Sequence, residues 1–140
     1  MKILRSVVFT LGLLLAVSAA HAQSFALSAN VPFDFIVGKQ VYPAGNYQLR
    51  SLNSPESAII IRNTDDSSSS ITLTQSCLKT SPAEKTVLMF HRLGNEYFLD
   101  QVWVQGSESG RRFFRSPIET QMARNHNDRE AVIVAALITR

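Results

Sequence analysis

Apolar and polar residues alternate with period two over much of this chain, the spacing of half-buried β-strands. The run Val31 to Arg50, VPFDFIVGKQVYPAGNYQLR, shows it best. Phe33, Phe35 and Val37 fall on one face of an extended strand, and Asp34 and Ile36 on the other. Gly38-Lys39 breaks the run. Pro43-Ala44-Gly45 suits a three-residue hairpin loop, in which proline presets φ and glycine supplies a left-handed residue. Tyr47 and Leu49 then alternate with Asn46, Gln48 and Arg50.

The same pattern sets the other elements. Ser24 to Ala29 reads as a first strand with Phe25 and Leu27 inward. Ser51 to Pro55 is a loop of turn formers. Ala58 to Arg62, with three consecutive isoleucines, reads as a strand buried on both faces. Asn63 to Ser70, ending in four serines, is an exposed loop. In Ile71 to Leu78, Ile71, Leu73 and Cys77 share one face, and Thr72, Thr74 and Ser76 the other.

Thr80 to Lys85 is a further loop. Thr86–Arg92 and Tyr97–Gln105 flank Leu93-Gly94-Asn95-Glu96, and Gly-Asn at the centre signals a hairpin. Pairing outward sets Arg92 opposite Tyr97, His91 opposite Phe98, Phe90 opposite Leu99 and Met89 opposite Asp100. One face then carries Leu88, Phe90, Tyr97, Leu99 and Trp103, and the other Val87, Met89, His91, Phe98, Asp100, Val102 and Val104. Both faces are largely apolar, so the hairpin sits centrally.

Gly106 to Gly110 is a turn and Arg111 to Arg115 a short strand. Ser116-Pro117-Ile118-Glu119 starts a helix, with serine as cap, proline in the first turn and glutamate reaching back in a capping box. The helix runs to about Asn125 and buries Ile118 and Met122. Ala131 to Thr139 is rich in β-branched residues and predicts a closing strand. The fold class that follows is all-β: an antiparallel sandwich or small barrel of about eight short strands. One short helix lies toward the C-terminus, and a signal-peptide helix at the N-terminus.

The start of the chain follows a different pattern. Lys2 and Arg5 precede an apolar run from Val7 to Ala19, and Ala20-His21-Ala22 is a small-x-small cleavage site. Residues 1–22 therefore read as a signal peptide cleaved after Ala22, leaving 23–140 as one β-rich domain, periplasmic or extracellular. The apolar run falls short of the ~20 residues of a comfortable span, so no stable membrane span is expected after cleavage. Losing Lys2 and Arg5 reduces the fourteen basic residues to twelve against eleven acidic ones, and no basic stripe implies nucleic acid.

Ala29-Asn30-Val31-Pro32-Phe33-Asp34-Phe35, then Val37-Gly38 and Pro43-Ala44-Gly45-Asn46-Tyr47, resemble a group of small exported acidobacterial proteins of unknown function. Phe90-His91-Arg92 with Gly94, Tyr97-Phe98-Leu99 and Gln101-Val102-Trp103 are similar to that group's second half. The likeness covers most of the chain after residue 22 and is weakest from Arg111 on. It implies export and a β-rich fold, and it carries no catalytic residues.

Few residues offer chemistry. His91 and Asp100 lie diagonally on one face in the expected register. A carboxylate there can orient a histidine for base catalysis, or simply satisfy a half-buried one. His126 lies too far along to complete a metal site, so none is expected, and no cofactor motif appears. Asp34 caps a turn, pairs with an arginine at a strand edge, or marks a polar point in a pocket. Cys77, the single cysteine, is a buried thiol or the link of a disulfide-bonded dimer. Gly110 to Arg115 interleaves arginines with Phe113 and Phe114. It reads as an amphipathic strand with one phenylalanine in the core, or as a site for anionic lipid or polysaccharide.

The expected function is a non-enzymatic binding or interaction module. Its surface is the aromatic side of the 86–105 hairpin, Phe90, Tyr97 and Trp103, together with Phe33 and Phe35. Its partner is a small apolar ligand or an envelope or extracellular protein. A structural protein associating through a strand edge or Cys77 is the alternative, and a hydrolase using His91 and Asp100 the third.

Overall fold

The computed structural model describes residues 25–52, 57–125 and 129–139. The signal peptide, its cleavage site, the Ser54-Pro55 turn, His126 and the Asn127-Asp128 helix stop lie outside the described residues.

The strands are β1 (Ala26–Val31), β2 (Phe35–Val37), β3 (Gln40–Tyr42), β4 (Gly45–Ser51), β5 (Ala58–Asn63), β6 (Ser69–Leu78), β7 (Val87–Leu93), β8 (Glu96–Trp103), β9 (Ser109–Phe113), β10 (Glu130–Ala135) and β11 (Leu137–Ile138). The one described helix, α1, spans Pro117–Asn125. The protein is thus all-β with a short helix, with eleven strands in place of about eight. The added strands are short. The 33–50 region divides into three, and the C-terminal run breaks at Ala136 into two.

All strands join one ladder in the order β10-β7-β8-β9-β6-β5-β4-β1-β11, with β2 beside β8 and β3 beside β2. The ladder does not close. Its two end strands are consecutive in the chain and joined by Ala136, whose N–H donates to Thr86 O at 3.0 Å. Pairing is antiparallel except between β2 and β8, which meet in parallel at Ile36 and Phe98.

The sheet curls round a single large core. Leu27, Ala29 and Val31 of β1, Tyr47 and Leu49 of β4, Ile59 and Ile61 of β5, Phe90 of β7 and Phe113 of β9 all belong to it. Phe35 stands at its centre, with ring centroids 5.0 Å from Tyr47 and 5.4 Å from Phe90. A smaller cluster of Ile36, Leu93 and Phe98 lies on the opposite face of β2, β7 and β8, covered by Met122 and Ala123 of α1.

Four local expectations need correction. Pro43-Ala44-Gly45 does not close a hairpin: β3 pairs only with β2, and β4 with β1 and β5. The left-handed glycine is Gly38 (φ 61°), in the two-residue β2–β3 turn. Gly45 is required for space, because a Cβ there would meet Asp65 Oδ2 at 2.7 Å. Ile60 is only half-buried, so β5 has one solvent-facing side. On α1, Met122 packs inward while Ile118 is exposed, because Glu119 takes the buried position. The β7–β8 hairpin keeps the expected register from Arg92 to Phe90. A bulge then leaves Asp100 unpaired, and Met89 meets Gln101. One inserted residue transposes the faces beyond it.

Candidate functional site

That bulge decides which sequence candidates meet. Val102 turns into the core, and Trp103, expected beside Phe90 and Tyr97, turns to the opposite side of the sheet, where it is still fully buried. There it lies against Gly110 under Lys79, whose Nζ is 4.1 Å from the ring centroid, and its Nε1 donates to Gln101 Oε1 at 2.8 Å. Phe33, Phe35, Phe90 and Tyr97 do come together: Phe33 stacks on Tyr97 at 4.0 Å and meets Phe90 edge-on at 5.1 Å. Phe35 and Phe90 are fully buried, so these rings fill the interior, and only Phe33 and Tyr97 keep partial exposure.

His91 does not pair with Asp100. Asp100, at the bulge, accepts from Gln101 Nε2 at 3.2 Å. His91 faces the underside of α1 and stacks on Phe98 at 5.6 Å. Its Nε2 lies 2.6 Å from Glu119 Oε1, an ion-pair contact whose angles fall outside those of a hydrogen bond. Arg115 Nε stands 3.6 Å from the same oxygen. His91 is 8 % exposed and Glu119 4 %. Ser116 caps α1 as expected, its Oγ accepting from Glu119 N–H at 3.0 Å. Glu119 Oε1, however, turns to the sheet. A glutamate three residues after a capping serine suits either role, so the sequence could not choose between them.

The Asp34 side chain serves a turn: its Oδ1 accepts from Ala44 N–H at 2.8 Å. Nearby, Asp65 accepts from the backbone N–H and side-chain amide of Asn46 at 3.0 and 3.1 Å, which holds its carboxyl below the usual value. The 30–47 stretch is therefore tied together by its polar residues, with Asn30 Nδ2 donating to Asn46 Oδ1 at 2.9 Å. Sequence reasoning missed Asp65, nineteen residues away from its partner Asn46.

Arg111 was also missed as an interior residue. It shares the inward side of β9 with Phe113 and is 7 % exposed. Its Nε donates to Thr74 Oγ1 and its Nη2 to Thr74 O, both at 3.1 Å. Of the two phenylalanines that follow, Phe113 enters the core and Phe114 is exposed. Cys77 is partly buried, and burial pushes its thiol up, with Arg112 and Arg111 opposing the shift. A higher thiol pKa means less thiolate, the reactive form.

The outside of β4, β5, β6 and β9 differs from the rest of the sheet. Cross-strand pairing sets Gln48 beside Arg62 and Arg62 beside Ser69, Arg50 beside Ile60 and Ile60 beside Ile71, Ala58 beside Leu73, and Gln75 beside Arg112. Ile71 is 67 % exposed and Leu73 63 %. Between Arg50 and Arg62 lies an open depression of about 380 Å³, lined also by Gln48, Ile60, Ser67 and Ser69.

Among the described residues, no helix is long and apolar enough to cross a membrane, and no group of three His, Cys, Asp or Glu side chains could hold a metal ion. No family model, curated protein or solved structure matches the chain.

Proposed function

We propose that the protein is an exported, non-enzymatic interaction module, built as an open barrel-like sheet, that meets its partner with the outer face of β5 and β6. Export rests on the pattern of residues 1–22 and on the resemblance of the Val31–Tyr47 region to small exported proteins. The observation that carries the reading is the exposure of Ile71 and Leu73 on the outer side of β6, beside Ile60 and Ala58 of β5. Large apolar side chains grouped there gain by being covered. The interior has little room for a ligand, since Phe35, Tyr47 and Phe90 fill it.

Assembly through a strand edge is a second reading, favoured by β3, which pairs only with β2 and exposes Val41. Its three residues offer few main-chain bonds to an added strand.

Hydroxyl-radical footprinting of the exported protein, with and without a cell-envelope extract, tests the reading. Oxidation of Ile71 and Leu73 is expected to fall when extract is present. Protection of Val41 alone would favour assembly. Turnover of any substrate that is abolished by His91→Ala in a folded protein would overturn the non-enzymatic reading.

A further inference from the structure

The outward side of these strands has a charge pattern as well as an apolar one. β4, β5, β6 and β9 are consecutive in the sheet through the order β9-β6-β5-β4. Together they carry Arg50, Arg62, Arg111 and Arg112 and no acidic residue. Arg111 points inward, so Arg50, Arg62 and Arg112 remain on the outside with Ile60, Ile71 and Leu73. Phe114, two residues beyond Arg112, adds an exposed aromatic ring. Acids lie at the margins: Asp65 and Asp66 on the loop before β6, held by Asn46 and Ser68, Asp100 on β8, and the exposed Glu108 just before β9. None of the three exposed arginines has an ion-pair partner among the described residues.

We propose that this face docks on the surface of an anionic phospholipid bilayer. Ile71, Leu73 and Phe114 enter the interfacial layer while Arg50, Arg62 and Arg112 meet lipid phosphates. The inference rests on the interaction-module reading and names its partner. Three features point to lipid.

The arginines and aliphatic groups alternate over one sheet face, which presents both to a plane at once. Guanidinium groups pair with phosphate oxygens in bidentate fashion, and each cation near an anionic leaflet adds to the attraction. The depression between Arg50 and Arg62, with the hydroxyls of Ser67 and Ser69, is matched to a polar headgroup. Third, β5 is hydrogen-bonded on both sides, to β4 and to β6, so its main chain has no edge to offer a peptide strand. On β5 only side chains remain for contact, and a fluid lipid surface can satisfy them without a shaped partner.

The test is flotation of the mature exported protein with vesicles of phosphatidylcholine alone and of phosphatidylcholine mixed with phosphatidylglycerol. Binding is expected only to the mixed vesicles, and is expected to fall at high salt. Each arginine removed should weaken it about fivefold, so Arg50→Gln with Arg62→Gln should lose binding by tens of fold. Ile71→Ser with Leu73→Ser should also weaken it, and both doubly substituted proteins should melt like the parent, since these sites are exposed.

Equal binding to both vesicles, binding to neither, or binding indifferent to the arginine pair would overturn the inference. Release from vesicles by soluble glycerol phosphate at low concentration would also overturn bilayer docking, in favour of a site for a free phosphate ester. If vesicles fail while a delipidated envelope extract still protects Ile71 and Leu73, the lipid partner falls and the interaction module stands. If neither protects them, both fall.

Discussion

β5 turns Ile59 and Ile61 into the core and leaves Ile60 half-buried outside. Its hydrogen-bonded neighbour β6 does the reverse: Thr72 and Thr74 share the inward side, while Ile71 and Leu73 stand outside. Both strands alternate, yet only one buries its aliphatic set. The difference lies in what each meets on its inward side. Ile59 and Ile61 of β5 join an apolar cluster with Leu27, Tyr47 and Leu49, Ile61 lying opposite Leu49 of the neighbouring β4. β6 looks onto the Tyr42 hydroxyl, which bonds Ser70, and the Arg111 guanidinium, which takes both acceptors of Thr74. A buried guanidinium without acceptors costs more than two exposed aliphatic side chains forgo, so the hydroxyl side of β6 goes in.

The largest expected effect breaks the comparison on stability. Ile61→Ala should cost about 2–5 kcal/mol in denaturant unfolding, as a cavity in a packed core does. Ile71→Ala on β6 should stay within about 0.5 kcal/mol. Equal losses would mean that β6 turns its aliphatic side inward after all.

A smaller effect is expected from Thr74→Val, a change that keeps the shape and removes the oxygen accepting from Arg111 Nε. Leaving that buried donor unpaired should cost about 1–3 kcal/mol. A neutral or stabilising result in the same unfolding assay would remove the stated reason for the inversion of β6.

The smallest effect concerns pH and compares the two strands through their tyrosine partners. Tyr42 bonds Ser70 of β6, and Tyr47 accepts from Asn63 of β5 at 3.3 Å. Burial is the leading cause holding both phenols above the ordinary value of 10.0. A phenol raised on folding contributes stability that is complete below pH 10 and is lost as pH rises through its folded value. The unfolding midpoint should therefore fall above pH 10, and Tyr42→Phe and Tyr47→Phe should each flatten that fall. A midpoint independent of pH up to tyrosinate formation would contradict the burial of these rings.

Several features were legible because local chemistry sets them. Period-two alternation marked the strands, Gly94-Asn95 marked the β7–β8 turn, and Ser116-Pro117 marked the start of α1. The first three rungs of the hairpin were also readable, since a short turn propagates its own register.

Where residues distant in the chain had to meet, the sequence was silent. Alternation divides a strand into two sides without saying which is inside, and β6 took the side its long-range partners Tyr42 and Arg111 required. Asp100 was set aside by a bulge, and His91 found Glu119 on a helix that folds back over the sheet. The choice between joined and open ends fell to Ala136, where one stretch of chain serves both edges of the ladder. The sequence by itself determined a β-rich chain with its turns and cap. The tertiary structure alone decided which polar groups are buried together, because a buried polar group must have a partner and its partner can lie anywhere along the chain.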